Sequence, residues 1–231
     1  QVYQDGAWED FLIKGVNMGI AKPGSFPGET KITKQEYARW FKQISEMNAN
    51  AVRVYTIHPP AFYEALYEHN RSRKDPIYLF QGVWVNEEIF VSKNNAFDPV
   101  VTDDFKEEIK RTVDLIHGQA DIEERVGHAS GQYKFDVSPY LLGWILGVEW
   151  DPEVVVATNE TNPTKTSFDG TYIMTEEATP FETWLAEIMD YTASYEAEQY
   201  GWQHPLSFTN WVTTDLLEHP AEPSDTEDLV A

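Results

Sequence analysis

Glu149 closes an unbroken apolar run, Trp144-Ile145-Leu146-Gly147-Val148. A carboxyl at the end of such a run stands where desolvation raises its pKa toward that of a useful general acid. The plainer account is that any strand must end at some polar residue. Arg53 lies inside a second apolar run, Ala51-Val52-Arg53-Val54-Tyr55, where an unpaired buried charge is strongly disfavoured. Two roles fit it equally: a guanidinium that holds a catalytic carboxylate ionised, or one half of a structural ion pair. Around these two fall Asn17, Tyr55, His58, Trp84, Trp150, Asn210 and Trp211, each at or just beyond the end of a β-rich run. Aromatic rings stack on the apolar faces of a sugar, while amides and carboxylates bond its hydroxyls. Trp84, Trp150 and Trp211 serve equally well as core filling, and one or two of the three are expected to reach a ligand. His58, before Pro59-Pro60, reads as a donor to substrate or as a satisfied loop histidine.

Those residues need a scaffold, and the chain alternates short β-rich runs with longer amphipathic helices. Strands are predicted at Phe11 to Asn17, Ala51 to Tyr55, Ile77 to Gln81 (running on to Trp84), Tyr140 to Leu146 and Pro205 to Thr209. The first helix opens on Thr33 and Glu36, spaced as a capping box, with Tyr37, Trp40, Phe41, Ile44 and Met47 on one face. A short helix follows from Pro60 to His69, and a longer one from Thr102 with Phe105, Ile109, Val113 and Ile116 as its stripe. The last helix is capped by Thr179, with Pro180, Glu182 and a terminal Gly201. Asp151 to Glu177 reads as a long polar connection.

Five strands with four helices between them predict an α/β fold on a parallel sheet. An open doubly wound sheet and a closed barrel both fit that order. The first turn, Asn17-Met18-Gly19-Ile20-Ala21, lacks the GxGxxG of a dinucleotide fold, and no GxxxxGK[ST] follows any strand. A barrel is therefore expected: a single, partial (β/α)8 domain over 1–231 with roughly five of eight βα units, cut short after an acidic stretch from Glu218 to Ala231.

Composition narrows the partners. With 17 Lys and Arg against 39 Asp and Glu, a formal charge of -22 repels phosphate backbones and anionic lipid, so no nucleic-acid partner is expected. No apolar run approaches the roughly 20 residues of a membrane span. The absence of cysteine excludes disulfides, zinc-thiolate sites and thiol nucleophiles. The 6 histidines show no HExxH or similar spacing, so neither a metal nor another cofactor is expected.

At these residues the chain resembles the clan A glycoside hydrolases, which include the cellulase-like family five and the β-galactosidase-like family two. Lys14-Gly15-Val16-Asn17 looks like their opening (R/K)GVN, and Ala51 to Tyr55 like their second strand, whose arginine supports the nucleophile. Trp144 to Glu149 is similar to their W-x-L-G-N-E strand, whose glutamate is the acid/base. Val148 stands where the family has asparagine, which implies either different recognition at the sugar 2-hydroxyl or a degenerate site.

The resemblance implies a retaining hydrolase or transglycosylase acting on a β-linked oligosaccharide or polysaccharide. Glu149 would be the acid/base, Arg53 would support a nucleophile on a seventh strand beyond Ala231, and the chain alone would be inactive. An extracellular or cell-surface setting suits such a substrate. The alternative is a non-catalytic carbohydrate-binding or scaffold barrel, which Val148 favours.

Overall fold

The computed structural model describes residues 1–4 and 6–211. Its centre is a five-stranded parallel sheet of β1 (Gly15–Met18), β2 (Ala51–Val54), β3 (Tyr78–Val83), β4 (Leu141–Leu146) and β5 (Leu206–Phe208). The strands lie in chain order, each beside the next. Four occupy the runs from which they were predicted; the first, expected over Phe11 to Asn17, starts later, at Gly15, and ends at Met18.

Helices fill every connection. They are α1 (Lys34–Glu46), α2 (Pro60–Asn70), α3 (Glu87–Lys93), α4 (Pro99–Ile116), α5 (Pro152–Thr161) and α6 (Pro180–Tyr200). The capping boxes expected at Thr33 and Thr179 both form, and Gly201 ends α6 in a left-handed turn with φ 65°. Two expectations are corrected. The helix placed from Thr102 starts earlier, because Asp98 accepts a hydrogen bond from the amide of Val100 and Pro99 takes the first position. The segment from Asp151 to Glu177 is not a bare connection. Asp151-Pro152 repeats the same capping device and starts α5, with the Asp151 carboxylate 2.9 Å from the Glu153 amide.

Three antiparallel hairpins decorate this frame: Val2–Gln4 with Ala7–Glu9, Ala120–Ile122 with Gly131–Tyr133, and Phe168–Asp169 with Met174–Thr175. None of them was read from the sequence.

Side chains alternate across the sheet, and the two faces differ. Val52 and Val54 of β2, Leu79 and Val83 of β3, and Trp144 and Leu146 of β4 join one core with Phe41, Phe62, Phe105, Ile109, Trp184 and Ile188 of the helices. The opposite face carries Asn17, Arg53, Phe80 and Gly143 in one register row, with Ile145 and Ser207 in the next pair of positions. None of these is in the core; Phe80 and Ile145 are half-buried and Asn17 and Ser207 exposed. All the packing helices therefore lie on one side.

Candidate functional site at the strand ends

The residues singled out from the sequence all fall at or beyond the C-terminal ends of the five strands or, for Asn17 and Arg53, within one residue of them. Asn17 and Arg53 are register partners on the face that no helix among the described residues covers. Adjacent strands stand about 4.8 Å apart, so the amide and the guanidinium leave the sheet side by side. Arg53 is half-buried, and its guanidinium lies 4.6 Å from the ring centroid of Tyr55. Its Nε is buried without a hydrogen-bond partner. Among the described residues Arg53 makes no ion pair, so the structural pair weighed from the sequence is not found there.

Tyr55 owes its position to Gly82. A Cβ on Gly82 would stand 2.3 Å from the Tyr55 carbonyl oxygen, so only glycine lets the chain leaving β2 cross β3 at this point. The crossing brings Tyr55 and Trp84 to one cavity of about 500 Å³, which His58 also lines. Trp84 is 39% exposed, so a ligand can reach its ring.

His58 is the buried member of this group, 1% exposed. The Tyr37 hydroxyl stands 3.0 Å from its Nδ1, its amide donates to the Tyr63 hydroxyl, and its carbonyl accepts from the Tyr133 hydroxyl. Burial pushes the imidazole down to about 3, against a weaker opposing pull from the Met18 backbone. The ring is therefore neutral and fixed by these bonds where it lines the cavity, with its Nε2 buried and without a hydrogen-bond partner.

The end of β4 explains Glu149 and Trp150 together. Gly147 adopts φ +77° while its amide bonds the Val83 carbonyl at 2.8 Å, which turns the chain off the sheet. Trp150 then folds back over Gly147, so closely that a Cβ there would lie 2.0 Å from its ring. Its indole is fully buried between Phe90, Phe181 and Trp184, each with ring centroids 5.5 Å away. Trp150 is thus a core residue, and the expectation of a sugar platform there is corrected. Glu149 is held between this buried anchor and the helix cap Asp151, and its own side chain is exposed. The desolvation expected from the preceding apolar run is not realised around it: the turn at Gly147 lifts it clear. Asn210 is exposed and Trp211 half-buried beyond the end of β5.

The strand-end cavity has one wall the sequence did not suggest. Gly127, His128 and Ala129, from the tip of the hairpin between α4 and β4, line it together with Tyr55 and Trp84. Nothing in the composition of Glu123 to Ser130 marks it as site-forming. Among the described residues no group of three or more histidines or carboxylates is arranged to hold a metal ion. No helix among them is long and apolar enough to cross a membrane.

No family model, curated protein or solved structure matches the chain.

Proposed function

We propose that this chain is roughly five of the eight βα units of a (β/α)8 barrel that acts on β-linked glycans, as a retaining glycoside hydrolase or transglycosylase. The observation that carries this is the strand order β1-β2-β3-β4-β5 with the helices on one face. Crossovers between parallel strands are right-handed, so a sheet that always advances in one direction keeps all its helices on one side and curls toward closure. A doubly wound sheet reverses its order at a switch point and covers both faces.

In such a barrel the C-terminal strand ends form the active site, and there the chain sets out Glu149, Arg53, Asn17, Tyr55 and Trp84. Glu149 protonates the departing glycosidic oxygen and then takes a proton from the water that resolves the glycosyl-enzyme. The second carboxyl must stand about 5–5.5 Å from the first, and we assign it to a further strand. An arginine without an ion pair on the uncovered face suits it as a partner that keeps it ionised. Trp84 supplies a ring for stacking and Asn17 an amide for a hydroxyl.

The second reading is a glycan-binding barrel without turnover. It is favoured by Val148, 7% exposed, which places an apolar core side chain where the resemblance has a substrate-binding asparagine. Kinetics separate the two. The intact protein is assayed on aryl β-glycosides and β-linked oligosaccharides beside Glu149→Gln. We expect turnover to drop by about 10³-fold with glycan affinity kept. Glycan binding without turnover in the parent protein rejects the hydrolase and leaves the binding barrel.

A further inference from the structure

The hairpin Ala120–Ile122/Gly131–Tyr133 belongs to the α4–β4 connection, which begins at the N-terminal end of the sheet, yet its tip lines the cavity at the other end. In parallel α/β folds the C-terminal site is built from the connections that follow strands, not from those that follow helices. A helix-to-strand connection that travels the height of the domain to reach the site is therefore out of place unless it does something there.

Its course is fixed along the whole climb. Near the base, Gly118 turns at φ +70° against the backbone of Phe135 and Asp136. Midway, Tyr133 donates to the His58 carbonyl at 3.0 Å and packs edge-on to Tyr63, and Gly131 abuts Pro60. Toward the tip, Arg125 is paired at 3.0 Å with Glu108 of α4, a carboxylate only 7% exposed that also binds Arg111. At the tip, Gly127 meets Gly28 of the β1–α1 loop so closely that a Cβ on Gly28 would stand 2.9 Å from its Cα. Ala129 is buried and His128 is exposed. The loop is thus a fixed wall, and the one long polar side chain it adds to the cavity is the His128 imidazole.

We propose that this hairpin is a specificity element, and that His128 hydrogen-bonds a sugar residue of a β-linked glycan seated against Trp84. This rests on the glycan reading above and goes beyond it in naming the residue, outside the strand ends, that selects among glycans. The cavity, about 500 Å³, holds only a short part of a glycan, so a wall at one side limits which substituents fit. An imidazole can donate to or accept from a hydroxyl, and losing one such neutral bond costs about 3- to 10-fold in affinity.

The test uses the intact protein bearing Glu149→Gln, so that bound glycan is not consumed, and follows tryptophan fluorescence during titration with cello-, laminari- and manno-oligosaccharides. His128→Ala is expected to weaken the best ligand by about 3- to 10-fold and to narrow the gap between the three series, with His128→Gln recovering part of the loss. Arg125→Ala, which frees the tip from α4, is expected to do the same with the thermal midpoint checked alongside. If Trp84→Ala abolishes binding while both hairpin variants bind every series as the parent does, the hairpin proposal is overturned and the glycan reading stands. If no series binds the parent, the glycan reading fails and the hairpin proposal falls with it.

Discussion

Oε1 of Glu196, in the last turns of α6, lies 2.6 Å from Nδ1 of His204, just before β5. The same carboxylate accepts from the His204 amide at 3.0 Å, from the indole of Trp144 on β4 at 3.2 Å, and bonds His117 Nε2 at 3.1 Å. His117, at the end of α4, is itself stacked on Tyr200 with ring centroids 3.9 Å apart. A single side chain, 1% exposed, therefore ties two helices, the fourth strand and the approach to the fifth. It lies at the N-terminal end of the sheet, away from Glu149, and its work is to hold the fold.

Replacing Glu196 should accordingly cost stability without touching the site. Glu196→Gln keeps the shape but turns one acceptor into a donor facing donors, and about 2–4 kcal/mol is expected from urea melts. The pH dependence follows from opposing causes. Burial alone would raise this carboxyl, but the bonds from His117, His204 and Trp144 outweigh it and hold it at about 2, below the ordinary 4.5. The stability it contributes is fully present above pH 4.5 and is lost as the pH falls through 2. The variant should show a flatter acid limb in that window, and identical limbs would remove Glu196 as its source.

His58 gives a separate acid response at higher pH. Burial lowers it from 6.5 to about 3, so the unfolded chain takes up a proton that the folded chain refuses. Stability contributed by the neutral ring is complete above pH 6.5 and declines as the pH falls toward 3. His58→Gln can still hydrogen-bond the Tyr37 hydroxyl but does not titrate. Between pH 6.5 and 4.5, before Glu196 enters, the parent should lose about 1 kcal/mol per pH unit more than the variant. Parallel stability curves would show that the ring protonates equally in both states.

What the sequence showed and what it hid divide by range. The strands and the caps at Thr33 and Thr179 were legible because an apolar run or an Ser/Thr-x-x-Glu spacing is local. Asp98-Pro99 and Asp151-Pro152 are equally local but do not stand out, because the buried stripe of α4 is clearest from Phe105 onward and α5 buries only Val154, Val155 and Thr158. The meeting of Tyr55 and Trp84 was not legible, since it depends on one backbone crossing another at Gly82. Nor was the inward turn of Trp150: a strand-end tryptophan next to a glutamate looks like a ligand platform until the positive φ of Gly147 sends it into the core. The hairpin wall could not be foreseen from spacing at all, because Arg125 and Glu108 pair across 17 residues only once α4 is packed.

Two strand-end tryptophans should separate cleanly by experiment. Trp150→Ala empties a site between Phe90, Phe181 and Trp184 and is expected to cost about 3–5 kcal/mol by denaturant melts. Trp84→Ala, at a 39% exposed position, should cost under about 1 kcal/mol yet, on the proposed glycan reading, weaken glycan binding by roughly 10-fold or more. A Trp84 variant that melts early but binds normally would return that residue to the core and take the platform away from the cavity.

Arg53 offers the sharpest choice between structure and chemistry. A buried guanidinium that serves the fold should be paired, and removing it from such a pair costs about 3–5 kcal/mol. Here its Nε is buried and unpartnered, Asn17 is its in-register neighbour, and its cation lies over Tyr55. Burying that Nε without a partner costs the fold free energy, whereas the contact with Tyr55 returns some, so Arg53→Met should move the thermal midpoint little. On the proposed glycosidase reading, the same change in the intact protein should lower kcat/KM on β-linked substrates by about 10²-fold or more, because a catalytic carboxylate would lose the cation that keeps it ionised. It should also shift the acidic limb of the pH–rate profile upward, since a carboxyl without its cation needs a higher pH to ionise. Loss of stability with an unmoved profile would instead make Arg53 a structural residue.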